Sequence, residues 1–246
     1  MIVRSNKELK LLKESGNILS KVLNLVVSRA KADISTQELD NIAQLELKKY
    51  GALASFKNFR NYPKNICTSV NSEVVHGIPS DYKLMAGDIL SIDIGCNYNG
   101  FFTDIAATIA IGKINSDAQK LIDETQVALN RAIKIVKPGM YTGDIGNVIE
   151  SYIKPFGYGI IIALCGHGVG ASVHEPPQIP NCGKPQTGTK IVEGMVFAIE
   201  PMITLGSPEV VVDQNKWTVK TKDGSISAHF EHTIMVTKNG CEILTK

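Results

Sequence analysis

Four carboxylates interrupt apolar segments whose composition is typical of buried strands. They are Asp93, Asp104, Glu200 and Glu231. No lysine or arginine lies between Ile89 and Ile111, so the first two carboxylates have no local cation to pair with. An unpaired carboxylate is costly to bury, and it must be neutralised, paired or bound to a metal. One or two divalent cations would relieve the repulsion within this set.

The histidines lie near predicted strands or in turns, and none lies in a helical segment. His167 stands in the glycine-rich stretch Cys165–Gly170, where small neighbours leave its imidazole uncrowded. His174 begins a His-Glu-Pro-Pro sequence, and His76 precedes Gly-Ile-Pro. Four carboxylates and one imidazole are a suitable donor set for a two-metal site, in which the ions lie about 3.5–4 Å apart and share ligands.

Two other chemistries could use the same glycine-rich loop. Cys165 beside His167 could form a thiol nucleophile with its base, but neighbours in a loop rarely face each other and no activating cation is nearby. The glycines could also cradle a phosphate, but the lysine and the serine or threonine of a P-loop are absent.

Apolar spacing, capping residues and turn signals predict the elements that carry these groups. Helices are predicted over residues 9–30, 35–49, 116–136 and 142–154. Strands are predicted over residues 88–96, 103–111, 196–203 and 229–236. The first two strands flank Asn97–Gly100, a strong hairpin signal.

The segment Leu84–Asp93 resembles the segment Ile191–Glu200. Each contains a glycine turn, then an apolar strand, then a carboxylate, and each is followed by a second strand with a carboxylate, Asp104 or Glu231. Such an internal repeat predicts two similar halves that share one central sheet. We therefore expect one α+β domain over residues 1–246 with an internal pseudo-twofold repeat.

The charge balance excludes several function classes. Lys and Arg total 26 against 24 Asp and Glu, a net charge of +2, so the excess that a dedicated nucleic-acid or membrane-surface binder needs is missing. The five cysteines form no CxxC pair, which favours reduced thiols and a cytoplasmic location. Charges in the first fourteen residues argue against a signal peptide, and no apolar run is long enough to span a bilayer.

Taken in order, these motifs resemble those of the type I methionine aminopeptidases. The resemblance covers nearly the whole chain and includes Val70-Asn71, His76–Pro79, Ile92-Asp93, Asp104, Cys165–Gly170, His174–Pro177, Glu193–Pro201 and Ser227–Thr233. It implies the pita-bread fold, in which two pseudo-symmetric halves surround a curved antiparallel sheet with helices on its outer face.

The resemblance also implies two divalent metal ions, which could be Co, Mn, Fe, Zn or Mg. In this family pattern Asp93 chelates one ion, Asp104 and Glu231 bridge both, and His167 with Glu200 completes the other. A metal-bridging hydroxide attacks the scissile carbonyl, and Glu200 accepts its proton.

Further roles follow from the same resemblance. His174 would donate a hydrogen bond to the substrate carbonyl oxygen, and His76 would contact the scissile amide nitrogen. The pocket for the methionine side chain would be lined by Phe59, Tyr62, Cys67 and Trp217. The implied activity is removal of the initiator methionine from nascent proteins with a small second residue, by a cytoplasmic monomer that works near the ribosome without binding nucleic acid or membrane.

The chain departs from the family pattern at four positions. They are Val75, Gly95, Val173 and His229, where relatives often carry cysteine, threonine, an aromatic residue and glutamine. None of these removes a metal ligand.

The same metal ligands could also serve three other kinds of protein. Proline-specific peptidases of the same fold share the ligands but usually carry a further N-terminal domain. A non-catalytic relative should have lost a ligand, and a two-metal phosphatase should carry a basic clamp near the carboxylates. The short segment between His174 and Glu200 leaves no room for the helical insertion of type II enzymes.

Overall fold

The computed structural model describes residues 1–246 and contains four α-helices. They are α1 (Asn6–Arg29), α2 (Thr36–Lys49), α3 (Ser116–Ile135) and α4 (Thr142–Ile153). All four were predicted, with ends that differ by a few residues. Ser35 and Glu38 form the predicted capping box at the start of α2, each bonding to the other's backbone amide. None of the helices combines the length and apolarity needed to cross a membrane.

Fifteen strands, all paired antiparallel, form three sheets. The strands are β1 (Leu53–Ala54), β2 (Cys67–Val70), β3 (Glu73–Val75), β4 (Ile89–Tyr98), β5 (Phe101–Ala110), β6 (Gly159–Ile160), β7 (Gly166–Gly168), β8 (Glu175–Ile179), β9 (Val196–Ile199), β10 (Met202–Thr204), β11 (Val210–Val212), β12 (Val219–Thr221), β13 (Ser227–His229), β14 (Glu231–Thr237) and β15 (Gly240–Ile243). The large sheet runs β1-β4-β5-β14-β9-β7-β8, with β2 on β4 and β15 on β14. The two smaller sheets run β13-β10-β6 and β11-β12-β3.

The predicted hairpin is confirmed, because β4 and β5 pair along their whole length from Ile89 to Tyr98. The two later strands that we predicted as continuous are each interrupted. Residues 196–203 break after Ile199, and residues 229–236 break at Phe230, so β9 and β14 belong to the large sheet while β10 and β13 belong to a small one. Pro201 cannot donate a ladder hydrogen bond, and its carbonyl oxygen instead accepts from the Phe230 amide. The two breaks therefore face each other.

Helices cover one face of the large sheet, in two separate apolar cores. In the first core α1 and α2 pack on β4 and β5, around residues such as Leu19, Leu39, Ile92 and Ile94. In the second, α3 and α4 pack on the strands around Phe197. Because side chains alternate along a strand, Asp93 points to the opposite face from Ile92 and Ile94. The pseudo-twofold repeat within a single domain remains a prediction.

Close packing of α1 depends on Gly16. A side chain at this position would overlap the backbone carbonyl of Leu244, which lies against the helix. Alanine in a helix is intrinsically about 1 kcal/mol more favourable than glycine. Here we expect the opposite sign, because overpacking a close contact of this kind typically costs about 1–3 kcal/mol.

Gly16→Ala should therefore lower the free energy of unfolding, measured by urea denaturation. Gly240→Ala is the matched control, because the nearest atom to its added carbon would lie 3.9 Å away, at the Val136 carbonyl oxygen. A Gly16→Ala protein that is more stable than the parent would show that α1 does not pack this closely on Leu244.

Candidate active site

Three strands bring Asp93, Asp104 and Glu231 together on the face of the large sheet that the helices do not cover. Asp93 on β4 and Glu231 on β14 are both register partners of Ala106 on β5. Asp104 stands two residues before Ala106 and therefore on the same face. One ligand oxygen from each of the three carboxylates lies within 4.8 Å of the others. The small side chain of Ala106 leaves the space between them open.

A second group forms around Glu231, and it adds His167 and Glu200. Glu200 follows β9 at the break before Pro201, and His167 lies on the neighbouring β7. The His167 Nε2 atom is 3.5 Å from Glu200 Oε1. Its Nδ1 lies 2.9 Å from the Gly168 carbonyl oxygen, to which it donates, so the Nε2 lone pair faces the carboxylates.

Burial sets the proton affinities of the three clustered carboxylates. It raises the pKa of Asp93 to about 7, and together with the neighbouring carboxylates it raises the pKa of Asp104 and Glu231 well above the usual range. Burial also acts to raise the pKa of Glu200, but the imidazoles of His229 and His167 outweigh it, and the pKa lies below its usual value.

The chemistry of these residues fits divalent cations. No lysine or arginine forms a salt bridge with any of the four carboxylates. The buried oxygens Asp93 Oδ1 and Glu231 Oε1 have no hydrogen-bond partner. Buried charged groups without partners are rare because each costs several kcal/mol. Oxygen donors together with one imidazole are typical ligands of hard and borderline divalent ions.

Two further histidines face the same cavity, which has a volume of about 530 Å³. The centre of the His174 ring lies 4.1 Å from the centre of the His167 ring. Loss of surrounding water, followed by an effect of the neighbouring His167 imidazole, lowers the pKa of His174 to about 4, and burial lowers the pKa of His76. Both imidazoles are therefore neutral near pH 7, and each can donate a hydrogen bond from one nitrogen.

The backbone at His76 adopts φ 59°, which is uncommon for any residue other than glycine. The next residue must be small, because a side chain on Gly77 would overlap the backbone carbonyl of Thr68. This close approach to β2 lets the chain reverse after β3 and turn the His76 ring toward the cavity. Strained conformations of this kind are concentrated at functional sites.

The four residues that we predicted to bind the methionine side chain all belong to or pack against one apolar cluster. Phe59, Tyr62, Cys67 and Trp217 all line the cavity. Trp217 packs edge-on against Tyr62 at 5.1 Å between ring centres, and Phe59 packs edge-on against His174 at 5.3 Å. The Tyr62 hydroxyl lies 2.9 Å from the carbonyl oxygen of Gly77, to which it can donate.

Other lining residues were not found from the sequence. Phe56 and Arg60 both border the cavity. Arg60 lies in a turn with φ 48° and places its guanidinium 5.3 Å from the Phe59 ring centre. No sequence signal marks a non-glycine residue for such a turn, whereas the spacing of Phe56 before Phe59 could have indicated a second aromatic.

The structure does not favour Cys165 as a nucleophile. Its thiol lines the cavity, but burial raises its pKa, followed by an effect of the Glu200 charge. A reactive cysteine needs the opposite shift, toward the thiolate.

We predict an unusual pH profile for the metal-stripped protein. The lowered pKa values of the buried histidines His76, His174 and His232 make the free energy of unfolding rise with pH up to about 6.5. Asp93, Asp104 and Glu231 act in the opposite direction: they hold protons in the folded state that the unfolded chain releases near pH 4, so their contribution to the free energy of unfolding should fall as pH rises from 4 to 7. Added Mn²⁺ or Co²⁺ should oppose this fall, since ions bind the deprotonated ligands and stabilise the folded state. Urea denaturation in chelator and in metal measures both profiles.

Asp93→Asn should gain stability relative to the parent as pH rises from 4 to 7 in the absence of metal, because it removes one of the three raised titrations. Asp123→Asn, at an exposed position on α3, is the control and should follow the parent. An Asp93→Asn profile that runs parallel to that of the parent between pH 4 and 7 would contradict the raised pKa of Asp93.

Comparisons with known proteins agree with this geometry. Residues 10–238 match the model of metallopeptidase family M24. A methionine aminopeptidase from Clostridium acetobutylicum is 42% identical over 246 residues, which cover 100% of this chain and 98% of the relative. The crystal structure of a methionine aminopeptidase from Thermotoga maritima superposes with a TM-score of 0.97 at 39% identity and full coverage of both chains.

A prolidase from Pyrococcus furiosus shares the fold more distantly. It superposes with a TM-score of 0.81 at 26% identity, over all of this chain and 65% of the prolidase. These matches confirm the α+β pita-bread fold and the resemblance to methionine aminopeptidases. The chain belongs to metallopeptidase family M24.

Proposed function

We propose that this metallopeptidase removes the N-terminal methionine from nascent proteins whose second residue is small. The observation that carries the proposal is the juxtaposition of two ligand groups, joined through Glu231, with an apolar cluster that lines the same cavity. A peptide held by its first residue would have its first peptide bond beside the ligand groups.

Two divalent ions would be held by Asp93, Asp104, His167, Glu200 and Glu231, with Asp104 and Glu231 shared between them. Bound there, such ions activate a water molecule as a nucleophile near neutral pH and polarise a carbonyl. Glu200 accepts the proton of the attacking water. The lowered pKa of Glu200 keeps its carboxylate ionised at neutral pH, which is the state that a proton acceptor requires.

The two neutral histidines then act on the substrate. His174 donates a hydrogen bond to the carbonyl oxygen, where negative charge develops as the bond is attacked. His76 contacts the scissile amide nitrogen and assists its departure. Their positions in the lining of the cavity and their neutral state at pH 7 support both roles.

The methionine side chain occupies the pocket of Phe59, Tyr62, Cys67 and Trp217. Aromatic rings and a thiol suit a flexible thioether, which gains favourable contacts at ring edges. A bulky second residue would clash near the ligand groups, so small second residues are preferred. We further propose a cytoplasmic monomer whose partners are nascent N-termini near the ribosome, without dedicated binding to nucleic acid or membrane.

The first test is hydrolysis of Met-Gly-Met-Met by chelator-stripped protein, with and without added Mn²⁺ or Co²⁺. We expect metal-dependent release of one methionine, and Asp93→Ala should abolish it by removing a ligand. Asp123→Ala is the control on α3 and should retain full activity. If the metal-loaded parent releases no methionine but cleaves Ala-Pro, the proline-specific alternative is correct.

A second test separates the catalytic contact from the binding contact. His174→Ala should lower kcat about 10²- to 10³-fold with little change in KM, since removal of one donor to a developing oxyanion costs about that much. Trp217→Ala should mainly raise KM for methionine peptides, because it opens one wall of the pocket. Equal effects of both variants on KM alone would exclude the role given to His174.

A further inference from the structure

One buried histidine near the ligand groups has no assigned role. His229, the last residue of β13, is 1% exposed, and neither of its ring nitrogens has a hydrogen-bond partner. Buried polar atoms are nearly always paired, and an unpaired one costs about 1–3 kcal/mol. A packing role alone would be served better by an apolar side chain. The imidazole therefore requires a polar partner in the working site.

The backbone fixes where this imidazole can point. The His229 amide donates to Thr108 Oγ1 at 2.8 Å, and the same hydroxyl donates to the His229 carbonyl oxygen at 2.8 Å. Met202 on β10 is the register partner of His229 on the other side. Held between two strands, the ring places Nε2 3.5 Å from Glu200 Oε2 and 4.0 Å from Glu231 Oε2.

The two oxygens of Glu200 therefore face different imidazoles. Oε1 lies 3.5 Å from His167 Nε2, and Oε2 lies 3.5 Å from His229 Nε2. His167 belongs to the groups of converging ligand atoms, whereas His229 belongs to none of them. The backbone of Glu200 is itself held, because Asn181 donates to its carbonyl oxygen at 3.0 Å. The torsions of the Glu200 side chain, including the rotation of its carboxylate, need a contact of their own.

We propose that His229 is a positioning residue whose Nε2–H donates to Glu200 Oε2 and thereby directs Oε1 to the ion shared with His167. The inference rests on the proposed function, in which Glu200 is a metal ligand and proton acceptor. Carboxylate ligands are commonly held by such outer hydrogen bonds, and loss of one typically weakens metal binding about 10- to 100-fold.

The test compares metal affinities by calorimetric titration of chelator-stripped proteins with Mn²⁺. His229→Leu fills a similar volume without a donor and should weaken binding about 10- to 100-fold. His229→Gln keeps a donor and should bind within about threefold of the parent, a difference below 1 kcal/mol. His232→Gln is the control: its Nδ1 contacts Thr245 Oγ1 at 3.0 Å, and it forms no salt bridge with the ligand carboxylates.

A second measurement reads the proton on the His229 ring directly in the parent protein. In the Zn²⁺-loaded parent, nitrogen-edited NMR of the histidine rings should show a proton on His229 Nε2, with the signal identified by its absence from His229→Gln. Metal bound directly to His229 Nε2 would overturn the proposal. So would a His229→Leu protein that binds Mn²⁺ as the parent does, or a His229→Gln protein as weak as His229→Leu.

The two proposals fail in different assays. If the metal-loaded parent binds Mn²⁺ but releases no methionine, the proposed function is wrong while the affinities still test His229. If the parent binds no Mn²⁺ at all, the positioning role is wrong as well. Circular dichroism of the stripped proteins establishes that each variant is folded.

Discussion

Mutual repulsion among four buried carboxylates is the constraint around which this molecule is arranged. Asp93, Asp104, Glu200 and Glu231 converge without a lysine or arginine, and two of their oxygens lack any hydrogen-bond partner. Placing unpaired charges together in a protein interior is strongly unfavourable. The rest of the fold must supply enough apolar burial to hold this arrangement until cations relieve it, and the two helix-covered cores do so from behind the sheet.

The register of the strands determines where the four carboxylates lie. Ala106 on β5 stands between Asp93 and Glu231, so its side-chain size sets the space in which ligand oxygens can converge. Ile199 on β9 is the register partner of His232 on β14, so the next pair in the same register is Glu200 and Glu231, which lie on one face of the sheet. The paired breaks at Pro201 and Phe230 adjoin this pair. Irregular backbone is thus used at the site itself, while the helices and the β4–β5 hairpin remain regular.

Sequence reasoning succeeded where a local rule decides the structure. The Ser35 and Glu38 capping box, the Asn97–Gly100 hairpin and the alternation that isolates Asp93 from Ile92 are all local. It failed where the outcome depends on distant partners. The break at Phe230 depends on a carbonyl from Pro201, and the turn that presents Arg60 requires a positive φ that its residue type does not signal. His229 was noted only as a departure from the family pattern, because the lack of a partner for a buried imidazole is visible only in three dimensions.

Two threonines join the halves of the site across the β5 seam, the line where β5 meets β13 and β14. Thr108 bonds to both backbone groups of His229, and Thr233 bonds in the same way to Asp104, a residue 129 positions away along the chain. Asp93 and Asp104 come from one side of this seam, and Glu200 and Glu231 come from the other. Neither side alone carries a complete donor set, and closing so long a loop has a large entropic cost. Cation binding therefore reinforces long-range chain closure, because a bound ion acts as a cross-link between distant parts of the polypeptide.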